Sequence, residues 1–185
     1  MEAKPAALVV AALYRDPEAL SQAERRLETL VGPLERLGDE FAFDCTDYYR
    51  AEMGPNLHKR LLLGRRLVER QLLPAIKLAT NDIERQLAAE SGRRRVNLDP
   101  GLLSPENLVL ASTKPRGHRV YLGRGIWAEV TMAFQHGRFE MFAWTYPDYR
   151  SAELVNSLQR ARGRLLQTLR RGDYRLLREV PCSRA

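Results

Sequence analysis

The feature that most constrains the fold is a nine-residue apolar run near the N-terminus, residues 6–14 (AALVVAALY). It shows no polar alternation, so a strand formed here is apolar on both faces and must be covered on both sides. A chain of 185 residues, 44% of them hydrophobic, can supply two covering layers within one domain. We therefore expect a single domain over residues 1–185, with 171–185 as a frayed tail.

The elements that follow predict a ferredoxin-like first half. Asp16-Pro17-Glu18 is typical of a helix start, and Gly32-Pro33 ends that helix. Further elements are expected as strands at 41–46 and 57–63, a helix at 71–90 and a strand at 94–99, with a helix as the alternative for 57–63. The order is β-α-β-β-α-β, the ferredoxin-like arrangement.

The second half predicts a β-meander and a long C-terminal helix. Turn signals separate four expected strands, at 107–113, 118–122, 125–134 and 138–144. Pro147-Asp148 begins the last helix, which carries Leu154, Leu158 and Leu165 on one face. The predicted fold class is α+β, a mainly antiparallel sheet with packed helices.

Composition limits cell location and partners. No apolar run is long enough to span a bilayer, and the only cysteines are Cys45 and Cys182, so we expect a cytoplasmic protein with reduced thiols. The net charge is +7, and eight arginines against two carboxylates lie between Arg150 and Arg178. This basic segment favours either nucleic-acid binding or a solvated helix face.

Motifs of several enzyme classes are missing from the sequence. It contains neither the P-loop motif nor the glycine-rich motif of dinucleotide-binding domains. It also contains no His-Glu-x-x-His, no Cys-x-x-Cys and no Gly-x-Ser-x-Gly. The histidines, His58, His118 and His136, lie in different segments, and Cys45 has no neighbouring histidine to activate it.

Polar residues instead occur where sheet and helix patterns would normally be apolar. Arg95, Asn97 and Asp99 alternate along one strand, and Asp99-Pro100-Gly101 is expected to turn the chain sharply. Further candidates on other elements are Lys77, Asn81, Glu84, Lys114, Arg119, Glu129, Thr131, Asp148, Arg150, Asp44 and Glu52.

Two interpretations of these residues stay open. They could form the solvent-exposed face of an antiparallel sheet. Alternatively, acids and bases meet in a cleft, where Asp99 and Glu129 act as general base or hold Mg²⁺, the candidate cofactor, and Lys77, Arg95, Lys114 and Arg119 bind phosphate oxygens.

The same stretches resemble a bacterial family catalogued as domain of unknown function 4416. The similarity extends from about Ala6 to Leu169, and its motifs lie at residues 43–54, 76–84, 96–101, 111–114, 125–131 and 144–150. The resemblance implies no particular activity. It does place the family's polar signatures on the candidate residues, and so favours a functional site.

Three functions are compatible with these patterns. The first is a small cytosolic protein, as an enzyme or a sensor, that binds an anionic phosphate-bearing metabolite or nucleotide. The second is an RNA-binding module that uses the basic last helix through Arg160, Arg162, Arg164, Arg170 and Arg171. The third is an interaction scaffold with 61–63 or the last helix as its contact surface.

Overall fold

The computed structural model describes residues 3–181 of the chain, so the prediction for Cys182 lies outside it. The helices are α1 (Pro17–Val31), α2 (Arg50–Met53), α3 (Leu73–Gln86) and α4 (Ala152–Arg171). The strands are β1 (Ala6–Tyr14), β2 (Leu34–Phe43), β3 (Leu57–Val68), β4 (Val96–Leu103), β5 (Asn107–Ser112), β6 (Val120–Gly123), β7 (Ile126–Gln135), β8 (Arg138–Met141) and β9 (Leu176–Leu177). Short 3₁₀ helices lie at Arg70–Leu72 and Pro147–Arg150.

The apolar run forms β1, which is buried along its whole length near the middle of one nine-stranded sheet. Its even-numbered residues pack against α1 and α3 on one face of the sheet. On the other face, Ala7, Val9 and Ala11 pack with α4, and Leu13 packs with Met53 and Leu57. The expectation of two covering layers is confirmed.

The first half has the ferredoxin-like order β2-β3-β1-β4, and every pairing in it is antiparallel. Asp16 caps α1 by accepting a hydrogen bond from the backbone N–H of Glu18 at 2.9 Å, and Gly32 ends the helix with φ +85°. The region 57–63 is a strand and not a helix, and it continues to Val68. Its Leu61, Leu62 and Leu63 are buried in the core, so the prediction that they form a contact surface is wrong.

The second half contains the four expected strands, but their order is not that of a simple meander. β7 pairs directly with β5, and both β6 and β8 pair with β7. The hairpin of β6 and β7 turns tightly through Arg124 and Gly125, whereas residues 113–119 separate β5 from β6. The longer connection lets the apolar β5 pair with β7 instead of with its sequence neighbour.

A β-bulge changes the faces of β7. Leu110 is opposite Glu129 and Leu108 is opposite Met132, so Thr131 is an extra residue in the pairing. The sequence alternation of Ile126, Ala128, Val130, Met132 and Phe134 predicts one apolar face for this strand, and that prediction is wrong beyond Val130. Ile126 packs with the α1 and α3 layer, and Met132 packs with α4.

The last helix begins later than predicted. Pro147–Arg150 forms a 3₁₀ turn, and Ser151 then caps α4 by accepting from the backbone N–H of Leu154. The predicted apolar face is confirmed, because Leu154, Leu158, Ala161 and Leu165 are buried against the sheet. Residues 171–181 are not all frayed, since β9 pairs with β3 in parallel.

None of the helices within residues 3–181 is both long and apolar enough to cross a lipid bilayer.

The opening that holds the candidate site arises from how β4 and β5 pair. Asp99, Pro100 and Gly101 do not turn the chain but continue β4, where they lie opposite Ala11, Val10 and Val9 of β1. Pro100 has no N–H to donate, yet β1 remains paired on both sides of it. β4 pairs with β5 only over residues 101–103. The first half of β4 therefore diverges from β5, and α3 lies beside the gap.

Candidate functional site

A cavity of about 570 Å³ lies in this gap between β4 and the strands β5 and β7. This volume is in the range of small-molecule sites. Nine of the predicted residues line it: Lys77, Asn81, Glu84, Asn97, Asp99, Lys114, Arg119, Glu129 and Asp148. Distant parts of the sequence thus bring acids and bases to one concave surface, as the cleft interpretation expected.

Asp99 is held from two sides at the base of the cavity. Lys77 reaches from α3 and donates to the Asp99 carboxylate at 3.1 Å and to the carbonyl oxygen of Leu98 at 2.8 Å. The Asn97 amide donates to the other Asp99 oxygen at 2.7 Å. Burial raises the pKa of Asp99, but the charges of Lys77 and Lys59 outweigh this effect and leave the pKa below its usual value. Asp99 is therefore an ionised, firmly oriented carboxylate.

Glu84 and Arg94 form a second polar group beside Asp99. Arg94 binds Glu52 through two parallel hydrogen bonds of 2.5 and 2.6 Å, and donates to Asn97 and to Glu84 through its third nitrogen. Glu84 also accepts from the backbone N–H of Leu98 at 2.7 Å. Burial raises the pKa of Glu84 despite the charges of Lys77 and Arg94. Glu52 does not line the cavity itself; it orients Arg94.

Glu129 lies across the cavity on β7 and is almost wholly buried, with 3% of its surface exposed. One carboxylate oxygen, Oε2, accepts from Arg119 Nε and from His118 Nε2, both at 2.8 Å. The remaining Arg119 donors bind Ser112 Oγ, the Lys114 carbonyl and the Tyr146 hydroxyl. Arg119 was predicted to bind phosphate, but these contacts leave it little capacity for a ligand. It positions Glu129 and Tyr146 instead.

A buried ion pair fixes the 3₁₀ turn at the cavity wall. Lys59 of β3 binds Asp148, and both side chains are more than nine-tenths buried. The Lys59 ammonium also lies 4.6 Å from the centre of the Tyr149 ring. Lys59 thereby holds Asp148 and Tyr149 against the sheet.

The exposed rim of the cavity, defined here as Lys114 and Arg116, is basic. Lys114 contacts the Tyr48 hydroxyl and lies 4.3 Å from the centre of that ring. Burial lowers the pKa of Lys114, and the charges of Arg116 and Arg119 lower it further. In the described part of the chain, no carboxylate lies within ion-pair distance of Lys114 or Arg116. The rim thus carries two cations that the fold does not neutralise.

Two residues that line the cavity each carry a buried polar atom without a hydrogen-bond partner among residues 3–181: Glu129 Oε1 and the Tyr149 hydroxyl. Such atoms are uncommon in folded proteins, because an unmet buried donor or acceptor costs free energy. Burial and the charges of Asp148 and Asp99 raise the pKa of Tyr149, so its hydroxyl stays protonated. We define these two atoms as the inner end of the cavity.

Five predicted site residues do not line the cavity. Arg95 precedes β4 and pairs with Asp16 at the start of α1, so it does not share the face of Asn97 and Asp99. Thr131 is displaced by the bulge in β7. Arg150 donates to the carbonyl oxygens of Thr145 and Phe142, and so holds the loop after β8 in place. Asp44 is exposed, and Glu52 acts through Arg94.

The structure does not support a metal site made by the protein alone. Among residues 3–181, no group of three or more His, Cys, Asp or Glu side chains is placed to hold a metal ion. Asp99 and Glu129 are instead occupied by Lys77, Asn97, Arg119 and His118. Mg²⁺ therefore has no protein-built set of ligands in this cavity.

Sequence patterns missed several residues that matter to the cavity, above all Lys59, Arg94 and Arg116. Lys59 lies in a region that fitted helix or strand, and Arg94 lies in the arginine run 93–95, where nothing distinguishes it from its neighbours. The one available signal for Lys59 was its position opposite Leu13 of β1 in a buried strand, which requires knowing the register. Tyr48 and Tyr49, which lie between Asp44 and Glu52 in the sequence, also line the cavity.

Comparison with known proteins gives one match. A family described as "Domain of unknown function (DUF4416)" matches residues 4–164, which is most of the chain. No curated protein and no solved structure matches it significantly.

Proposed function

The chain belongs to the family described as "Domain of unknown function (DUF4416)", and from that premise we propose that it binds a small anionic, phosphate-bearing molecule in the cavity between β4 and β7. The observation that carries this proposal is the basic rim. Lys114 and Arg116 face the same cavity without a carboxylate partner among the described residues, and an anion would supply one.

The charges along the cavity support a ligand with its anionic group at the rim. The carboxylates Asp99 and Asp148 each have a lysine partner, so they present little free negative charge to an incoming anion. Arg116 and Arg119 already lower the pKa of Lys114, and a bound phosphate would relieve that repulsion. Phosphate oxygens, with high charge in a small volume, suit two adjacent cations.

The aromatic wall supports an organic part on the ligand. Phe43, Tyr49 and Tyr146 line the cavity together with Tyr149, and the Tyr49 ring packs edge-to-face on Phe43 at 5.9 Å between centroids. Ligand sites commonly combine such apolar surface with a few fixed polar groups. A free inorganic phosphate would leave most of this volume unfilled.

If the protein is an enzyme, Glu129 is the better candidate for the base. Both oxygens of Asp99 already accept hydrogen bonds, from Lys77 and Asn97. Glu129 keeps Oε1 free of any partner in the described chain, so this oxygen can accept a proton from a bound ligand. Asp99 then serves to orient Lys77 and Asn97.

A thermal-shift titration tests phosphate binding. Wild-type protein is titrated with ribose 5-phosphate, AMP and pyrophosphate, and a rise in melting temperature with ligand concentration is expected. The double variant Lys114→Ala/Arg116→Ala should lose most of this shift. Arg170→Ala/Arg171→Ala is the matched control, because it removes two exposed arginines outside the cavity. No shift in wild type, or an equal shift in both double variants, contradicts the proposal.

RNA binding through α4 is the alternative, and the contacts of its arginines weaken it. Arg162 donates to the Pro105 carbonyl and packs on the Phe134 ring, and Arg164 pairs with Glu35. Arg170 and Arg171 sit in the last helical turn, where positive charge stabilises the helix terminus. RNA binding should fall steeply with added salt and should fail in the Arg170→Ala/Arg171→Ala variant. The cavity variant would leave it unchanged.

We also propose that the protein works in the cytoplasm. Cys45 is a free thiol, in keeping with a reducing compartment. Measuring the distribution of the tagged full-length protein between cell fractions tests this location.

A further inference from the structure

The inner end of the cavity specifies what the rest of the ligand must offer. Arg119 and His118 hold the Glu129 carboxylate through Oε2, and the backbone of β7 fixes its position beside Leu110 of β5. Its other oxygen, Oε1, is buried and accepts no hydrogen bond within the described chain, although the Tyr146 hydroxyl also interacts with the Glu129 carboxylate. A buried carboxylate oxygen is a strong acceptor, and leaving it unpaired costs more than leaving a neutral group unpaired. The missing partner is therefore a hydrogen-bond donor.

The Tyr149 hydroxyl gives an independent second constraint. Tyr149 is 1% exposed, and its ring is held by Lys59, yet its hydroxyl has no partner in the described chain. A protonated phenol both donates and accepts one hydrogen bond. The ligand must therefore offer a donor to Glu129 and a group that can exchange a hydrogen bond with Tyr149.

At each of the two atoms, a hydroxyl of the ligand is a better partner than an amine. The residues that line the cavity include six cations and four carboxylates, so positive charge is in excess. This excess disfavours an additional ammonium group, whereas a neutral hydroxyl donates and accepts without that penalty.

We infer that the inner end of the cavity is a hydroxyl subsite, so that the ligand is a phosphate ester of a polyhydroxylated molecule such as a sugar phosphate, with its phosphate at Lys114 and Arg116. This inference rests on the proposed function and adds the class of the ligand's organic part. A site with buried polar groups discriminates strongly against analogues that leave those groups unpaired. The protein therefore prefers ribose 5-phosphate to a phosphate ester without hydroxyls.

Isothermal titration calorimetry with two probes tests the hydroxyl subsite. Methyl phosphate carries the anionic group alone, and ribose 5-phosphate adds hydroxyls. Wild type should bind ribose 5-phosphate about 10-fold to 100-fold more tightly, as expected for hydrogen bonds that include a charged acceptor. Equal binding of the two probes overturns the hydroxyl subsite but leaves the phosphate site intact. Failure of both probes to bind overturns the phosphate site as well.

Two variants test whether Tyr149 and Glu129 cause the preference for ribose 5-phosphate over methyl phosphate. Tyr149→Phe removes only a hydroxyl that has no partner in the described fold, so the protein should stay folded and lose about 2-fold to 10-fold in ribose 5-phosphate affinity. Glu129→Gln should remove most of the preference for ribose 5-phosphate over methyl phosphate. Glu140→Gln on β8, whose side chain pairs with Arg138 outside the cavity, is the matched control and should keep the preference. An unchanged preference in both Tyr149→Phe and Glu129→Gln contradicts the subsite, and indicates that only water meets these atoms.

Discussion

Two carboxylates beside each other in the cavity have pKa values shifted in opposite directions. Asp99 lies on β4 and is partly buried, Glu84 of α3 is buried against β4, and desolvation alone raises the pKa of each carboxyl. Lys77 contacts Asp99 directly, so its charge reverses the effect there. Glu84 instead accepts from a neutral backbone N–H and makes a longer contact of 3.3 Å with Arg94. Burial therefore prevails at Glu84.

We predict that the contribution of Asp99 to the free energy of unfolding increases with pH, whereas the contribution of Glu84 decreases. Asp99 has a folded-state pKa below its usual 3.8, so its stabilising effect is present above pH 3.8 and is lost as the pH falls through the lower value. Glu84 has a folded-state pKa above 4.5, so its favourable effect is present below pH 4.5 and is lost as the pH rises. Urea unfolding of wild type, Asp99→Asn and Glu84→Gln from pH 2 to 7 measures this, because the Asp99 effect changes below pH 3.8 and the Glu84 effect changes above pH 4.5.

The free energy of unfolding of wild type, relative to Asp99→Asn, should grow with increasing pH. Relative to Glu84→Gln it should shrink. Parallel trends in the two comparisons would contradict the assigned charge states.

At the residue scale, sequence periodicity found polar side chains but could not assign their roles. It selected Asp99, Glu129 and Lys77, which the structure brings to one cavity. It gave Arg119 a ligand-binding role, although its guanidinium is taken up by Glu129, Ser112 and Tyr146. The partner of a charged side chain depends on contacts between distant segments, and these do not follow from local patterns.

Among the elements, β4 shows how a turn-like sequence can form a strand. Asp99-Pro100-Gly101 resembles a turn locally, but β1 provides a continuous apolar neighbour along the whole segment. Gly101 is needed for packing and not for an unusual backbone angle. A Cβ atom there would lie 2.5 Å from Leu110 Cδ2 and 2.7 Å from the Val109 carbonyl oxygen. Close approach of β5 to β4 thus depends on the missing side chain.

We predict that Gly101→Ala destabilises the protein by about 1–3 kcal/mol, because β5 must move to accept the added methyl group. Gly117→Ala is the matched control, since a Cβ atom at that position meets nothing within 4 Å and the residue does not have a positive φ. Its effect should stay within about 0.5 kcal/mol. Chemical denaturation of the two variants measures the difference, and equal effects would show that β4 and β5 do not pack this closely.

The positions of helices and strands along the sequence were more predictable than the pairing of the strands in the sheet. The capped α1 and the amphipathic α4 follow from local signals, and both form where their apolar faces predict. The pairing of β5 with β7 and the bulge at Thr131 arise from contacts across the sheet. A single extra residue moves the later side chains of β7 to the opposite face of the sheet, and no local sequence pattern predicts this bulge.

For the whole molecule, one sheet carries every strand, and helices cover both its faces. The apolar β1 contributes to both core clusters, so neither layer can separate without exposing it. We predict a single cooperative unfolding transition, in keeping with one domain. Differential scanning calorimetry should give equal calorimetric and van 't Hoff enthalpies. Two resolved transitions would show that the ferredoxin-like half and the second half unfold separately.

The cavity is a property of the whole fold, since its walls come from α3, β4, β5, β7 and the turn at Pro147–Arg150. A crystal structure of the protein soaked with ribose 5-phosphate tests the central claim most directly. We predict phosphate density within hydrogen-bond distance of Lys114 or Arg116, and a sugar hydroxyl within hydrogen-bond distance of Glu129 Oε1. A cavity that contains only water, with the sugar phosphate absent or bound elsewhere, would contradict the account.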